Sequence, residues 1–241
     1  MKNILIAGIN GSLGNFFLNF YLSKNFKVIG LSKSKIKFKH KNLISFKIDL
    51  SDQKKVKSFY LKLKRKFKKI DYILSCVGRS SLNEKDKNFW INGINDNLLS
   101  NIYLVEEYIE NFSKLSNNCK IILISSIAGV APINAPLSYS LAKSALNYYC
   151  KLKSSVLAKK NITINNISPG NILMKNNLWH KKIKLNKKKT LKYINENVPL
   201  KSFCEPQSIL DICNLLFSKS GDFITGSNFL IDGGQVHNVK K

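Results

Sequence analysis

The chain has 241 residues, 44% of them hydrophobic, enough for one α/β domain with a sizeable core and not the composition of a disordered or collagen-like polymer. Its formal charge of +26 comes from 40 basic against 14 acidic residues, and Arg65 and Arg79 are its arginines. A lysine excess of this kind reads as compositional drift, because a phosphate-gripping surface also uses the planar fork of arginine. No nucleic-acid partner is therefore expected, although the field still attracts anionic substrates and phosphate-bearing cofactors.

The five cysteines, Cys76, Cys119, Cys150, Cys204 and Cys213, are odd in number and form no Cys-x-x-Cys pair. They read as reduced thiols. His40, His180 and His237 are scattered, so no metal site is expected. The apolar run Ile4 to Ala7 stops at Gly8, too short for a signal sequence, and no stretch has the length of a membrane span. A cytoplasmic protein without a membrane partner is the expectation.

Apolar runs alternate with amphipathic stretches along the chain. Strands are predicted at 3–7, 26–31, 43–48, 72–77, 120–125, 162–167 and 228–231. Helices are predicted at 13–23, 53–67, most of 88–115, 139–159 and 206–218. Short apolar strands separated by helices imply a parallel sheet covered on both faces. Right-handed crossovers then give a single-domain, Rossmann-like, doubly wound α/β fold over residues 1–241. The segment 171–197 is rich in Lys and Asn and lacks a clear strand. It is expected to lie over the ligand crevice as a lid. Its lysine run, 181–192, is read as solvated surface.

The first strand runs into Gly8-Ile9-Asn10-Gly11-Ser12-Leu13-Gly14, and a helical pattern follows at once. Glycine lets the backbone turn sharply and approach a pyrophosphate, and a helix start offers unpaired N–H groups. A strand, a glycine turn and a helix in that order point to a dinucleotide cofactor. An NAD-type site places an acid at the end of the second strand. Here that strand ends in Ser32 and Lys33. The cofactor is therefore read as NADP(H), with Ser32 and Lys33 at a 2′-phosphate and NAD(H) as the alternative.

Tyr139 and Lys143 lie four residues apart at the start of the fourth long helix, so they share a face. A phenol is a poor acid–base near neutrality. A neighbouring ammonium stabilises its phenolate, and this pair is expected to bring Tyr139 into the useful range. Upstream, a buried strand ends in Ser125-Ser126, where a hydroxyl can hold a substrate oxygen.

Taken together these motifs resemble the tyrosine-dependent short-chain dehydrogenase/reductase family over essentially the whole chain. The resemblance implies a catalytic tetrad of Asn97, Ser126, Tyr139 and Lys143. It implies cofactor contacts from the 8–14 turn, from Asp49 and Leu50 near the adenine, from Val77 and Gly78, from Tyr139 and Lys143, and from Pro169, Gly170 and Ile172 beside the nicotinamide. Tyr139 is then the proton donor to a carbonyl, Lys143 tunes it and binds the cofactor ribose, Ser126 holds the substrate oxygen, and Asn97 positions a relay water. Three departures are visible: Ser12 replaces a glycine of the cofactor turn, Ser75-Cys76-Val77-Gly78 replaces Asn-Asn-Ala-Gly, and Met174 stands where a threonine often follows the Pro-Gly turn. The substrate implied is a 3-oxoacyl thioester or a keto-sugar, and the assembly a homotetramer or homodimer. The rivals are a non-catalytic NADP(H)-binding protein of the same fold and, on charge alone, a nucleic-acid binder.

Overall fold

A computed structural model describes residues 1–80, 83–113 and 118–237. Its centre is a seven-stranded, all-parallel sheet in the order β3-β2-β1-β4-β5-β6-β7. The strands are β1 (Asn3–Ala7), β2 (Lys27–Ser32), β3 (Leu43–Lys47), β4 (Tyr72–Ser75), β5 (Lys120–Ile124), β6 (Thr163–Pro169) and β7 (Asn228–Ile231). The helices are α1 (Ser12–Ser23), α2 (Gln53–Leu63), α3 (Phe89–Ile94), α4 (Ser100–Phe112), α5 (Leu137–Ala158), α6 (Leu178–Leu185), α7 (Lys187–Asn197) and α8 (Pro206–Phe217).

Strand period explains the two layers. Successive side chains point to opposite faces of a sheet. Leu5, Ile29, Ile73, Ile121 and Ile164 therefore pack under α2, α4 and α5. Ile4, Ile6, Val28, Leu74 and Ile122 pack under α1 and α8. Both faces are covered, so the inner strands read as unbroken apolar runs, whereas the edge strands β3 and β7 are only partly buried.

The winding positions the site. The chain moves outward from β1 through β2 to β3, then returns to β4 and moves outward the other way. The loops after β1 and β4 therefore separate, opening a crevice at the carboxyl ends of the strands.

Three differences from the sequence-based expectation have local causes. The helix expected over most of 88–115 is broken into α3 and α4 by a π turn at Asn95–Leu99. The Ser100 hydroxyl donates to Asn95 O (2.8 Å) across that turn; the expected end at residue 115 lies outside the described residues. β6 runs on to Pro169 because Ser168 and Pro169 pair with Leu230 and Ile231 of β7. The lid segment holds two helices, α6 and α7, each begun by an asparagine cap. Asn177 Oδ1 accepts from His180 N (3.0 Å) and Asn186 Oδ1 from Lys189 N (2.9 Å).

Candidate active site

Gly8 makes the turn out of β1 at φ +87°, a conformation that L side chains rarely adopt. α1 then packs onto that turn so closely that a Cβ on Gly14 would lie 2.2 Å from Gly8 O. Gly11 occupies the cap position before α1 without a side-chain hydrogen bond, and the helix has no acid in its first turn. Its first N–H groups and positive dipole end are left for an anion. Asn10 Nδ2 donates to Ser34 Oγ (2.7 Å) and Lys35 O (3.1 Å), tying this turn to the loop after β2. The Ser12 hydroxyl donates to Lys175 O (3.2 Å), so the departure from glycine there joins the turn to the lid segment.

Two clefts meet over this turn. One, of about 510 Å³, is lined by Gly8, Asn10, Gly11, Ser32, Lys33, Asp49, Leu50, Val77 and Gly78, and also by Arg79 and Asp96. The second, of about 300 Å³, is lined by Gly11, Ser12, Leu13, Gly14, Val77, Gly78, Ser126, Tyr139, Lys143, Pro169, Gly170 and Ile172. They share Gly11, Cys76, Val77 and Gly78. Glycine at 78 keeps the junction open. A Cβ there would come 2.8 Å from Asn97 Oδ1 and 3.0 Å from Lys143 Nζ.

At the first cleft Lys33 Nζ lies 2.9 Å from Asp49 Oδ2, so the lysine read as a phosphate ligand is already ion-paired. Burial raises the Asp49 carboxyl, but hydrogen bonds from Ser51 and Lys33 outweigh it and the pKa is lowered overall.

At the second cleft Tyr139 and Ser126 are neighbours. Burial pushes the Tyr139 phenol up from its ordinary range, while the Ser126 hydroxyl beside it pulls down. Ser126 Oγ is itself fixed by the Ala128 N–H (3.1 Å). Gly129 allows this approach, since a Cβ there would come 2.5 Å from the Lys143 backbone. Lys143 is 2% exposed, and its ammonium donates to Ile124 O (2.8 Å), with Val77 O at 3.4 Å. Burial lowers its pKa to about 8, and the Cys76 thiol acts in the opposite direction. Its Nζ is 6.0 Å from the centre of the Tyr139 ring. The expected lowering of the Tyr139 pKa by Lys143 is not seen: burial and the Ser126 hydroxyl are the influences on the phenol, and burial, the larger, raises it overall. The phenol stays protonated at neutral pH, which is the form an acid needs.

Asn97 lies behind the clefts rather than in their walls, and is fully buried. Its Oδ1 accepts from Arg79 N (2.8 Å), and its Nδ2 donates to Gly93 O (3.0 Å) and Arg79 O (3.2 Å). It holds the Gly78–Arg79 turn in place. Nearby, Ser75 Oγ and Asn101 Oδ1 are hydrogen-bonded at 2.6 Å, which occupies the serine of the departed motif inside the core.

A third cleft of about 550 Å³ shares Ser126, Tyr139, Gly170, Leu178 and Trp179 with the second. Its remaining walls include Ile127, Ile133, Pro136 and Tyr193, with Lys182 and Lys189 from the lid helices. Trp179 stacks on Tyr193 (5.4 Å, 28°) and meets Phe203 edge-on. It both packs the lid and faces the cleft. Sequence reasoning missed Arg79, Asp96 and Tyr193. Arg79 carried a signal, as one of two arginines, directly after Gly78; Asp96 adjoins Asn97, and Tyr193 carried none. Among the described residues, no three His, Cys, Asp or Glu side chains gather as a metal site. No helix among the described residues is long and apolar enough to cross a membrane.

A family model described as enoyl-(acyl carrier protein) reductase matches residues 30–236. The chain is 28% identical over 242 residues to the 3-oxoacyl-(acyl-carrier-protein) reductase FabG of Buchnera aphidicola subsp. Acyrthosiphon pisum, covering 97% of this chain and 96% of that one. Its fold superposes on a short chain dehydrogenase from Leptospira borgpetersenii with bound NAD+ at a TM-score of 0.87, with 23% identity over 98% of this chain and 92% of that chain. It also superposes on ElxO with NADP bound at a TM-score of 0.88, with 22% identity over 98% and 99% of the two chains. The chain belongs to the short-chain dehydrogenase/reductase family, and is an oxidoreductase acting on carbonyl or hydroxyl groups.

Proposed function

We propose that this protein reduces a 3-oxoacyl thioester with NADPH, using Tyr139 as the proton donor. The observation that carries the reading is the shared wall: Ser126 and Tyr139 line both the cofactor-side cleft and the cleft under the lid. A group reaching both residues from the lid side sits against whatever fills the other.

The cradle fits a dinucleotide. The 8–14 turn would hold the pyrophosphate on the start of α1. Ser32, Lys33, Asp49 and Leu50 would hold the adenosine end, and Lys143, Pro169, Gly170 and Ile172 the nicotinamide end. When bound, the nicotinamide supplies the hydride for the carbonyl carbon. The chain's own part is the oxygen. Ser126 orients it by a hydrogen bond, and Tyr139, kept protonated by burial, gives it the proton. Lys143, buried beside Gly78, binds the ribose hydroxyls. Asn97 fixes the Gly78–Arg79 turn and with it the floor of the cleft.

The thioester is supported by the 28% identity to the Buchnera reductase across nearly the whole of both chains. The test is a substrate panel of acetoacetyl thioesters, keto-sugars and simple ketones, with NADPH oxidation followed. The thioesters are expected to give kcat/KM of at least roughly 10⁴ M⁻¹s⁻¹. Turnover of keto-sugars alone overturns the thioester reading, and no oxidation with any substrate overturns catalysis itself.

The proposal includes self-association. α5 exposes Leu137, Leu141, Tyr148, Leu152 and Val156, each more than half exposed and spaced to form one apolar stripe. Sedimentation velocity is expected to show a dimer or tetramer; a monomer at micromolar concentration would sink this part.

A further inference from the structure

The adenosine-side cleft pairs its charges unusually for so basic a chain. With 40 basic and 14 acidic residues, carboxylates are the scarce partner. Yet here two of them serve one lysine. Lys33 Nζ lies 2.9 Å from Asp49 Oδ2 and 3.7 Å from Asp96 Oδ1. Asp96 Oδ2 in turn lies 3.3 Å from Arg79 Nε. Asp49, Lys33, Asp96 and Arg79 thus alternate in sign along one wall, and all four line the same cleft. The local charge sums to zero.

The two cations are the most exposed members. Their side chains are 65% and 50% exposed, whereas that of Asp96 is 22% exposed. Asp96 is held from below by the π turn at Asn95–Leu99, one residue before the buried Asn97. Asn97 also grips both backbone polar groups of Arg79. The backbones that carry Arg79 and Asp96 are therefore locked together, and the Arg79 guanidinium rests over the carboxylate.

We propose that Asp96 sets the cofactor preference of this cleft, by tying down the two cations, Lys33 and Arg79, that a 2′-phosphate would recruit. The inference rests on the NADP(H) reading given above. The physical asymmetry is simple. A phosphate monoester carries close to two negative charges near neutrality and a 2′-hydroxyl carries none. A carboxylate in the same wall repels the first and can accept a hydrogen bond from the second. Guanidinium matches phosphate oxygens in pairs, so Arg79 is the stronger of the two ligands once released.

The test is direct binding, without turnover. Dissociation constants for NADPH and NADH are measured by calorimetry at fixed ionic strength for the wild type, Asp96→Asn and Arg79→Gln. Asp96→Asn is isosteric, and the ratio of the two constants cancels any general loss of folded protein. Removing one charge several ångströms from the phosphate is expected to raise the preference for NADPH by about tenfold. Arg79→Gln should lower it by a similar factor, and added salt should shrink both effects. An unchanged ratio in Asp96→Asn overturns the inference, even if the wild type prefers NADPH. A wild type that prefers NADH, with Asp96→Asn shifted toward NADPH, overturns the NADP(H) reading and supports the inference. Failure to bind either cofactor overturns both.

Discussion

Tyr139→Phe is expected to cut kcat by roughly 10²–10⁴-fold, the range contributed by a positioned general acid. The dissociation constant for NADPH should hardly move. The substitution removes one oxygen and little else. The phenyl ring keeps the volume in the wall shared by the two clefts. Ser126 keeps its own anchor, the Ala128 N–H at 3.1 Å. Lys143 stays on Ile124 O at 2.8 Å, because that contact does not involve the phenol. Stability should also survive, since burial already disfavours ionisation of this hydroxyl. Single-turnover NADPH oxidation together with a binding titration checks the prediction. A variant with near-normal kcat removes Tyr139 from the mechanism.

Gly14→Ala is the second large effect, and it sets two energies against each other. Alanine is the better helix former by about 1 kcal/mol, so propensity alone predicts a more stable α1. The added Cβ, however, would meet Gly8 O at 2.2 Å, Gly8 C at 2.7 Å and Ile9 Cα at 3.2 Å. All three are backbone atoms and none can rotate away. Overpacking of this kind costs about 1–3 kcal/mol, so the clash outweighs the propensity. The relaxation must open the turn that would carry the pyrophosphate. We expect cofactor affinity to fall by about a hundredfold or more, the size of a loss near 3 kcal/mol. We also expect the melting temperature to drop by several degrees. Gly11→Ala is the control. Its φ is −74° and among protein atoms its Cβ would meet only Gly8 O, at 3.3 Å, so its melting temperature should hardly move. Normal NADPH binding by Gly14→Ala contradicts the assignment of this turn to the cofactor.

Much of the fold was legible because its inner strands are buried on both faces and therefore appear as unbroken apolar runs. The glycine turn was legible for a similar reason, since its geometry excludes side chains at Gly8 and Gly14. The π turn was not. An extra residue in a helix leaves the apolar spacing on either side almost intact, so 88–115 reads as one helix. The lid helices were hidden by their lysines, which blur the apolar period, although Asn177 and Asn186 stood at their starts as caps.

Local patterning was enough for the parallel α/β architecture, the strand–turn–helix at residues 8–14, and the presence of Tyr139 and Lys143 on one helix face. These depend on local spacing and on backbone conformations that few residue types allow. Three other features arise from packing between distant segments, and it is the folded chain that creates them. It placed Ser126 beside Tyr139 by packing Gly129 against the backbone at Lys143. It made burial, rather than the nearby ammonium, the main influence on the Tyr139 phenol. And it brought Asp96 and Arg79 to Lys33, turning a presumed phosphate ligand into one member of a four-charge wall. Desolvation and ion pairing both depend on what surrounds a group in space, and spacing along the chain carries no record of that.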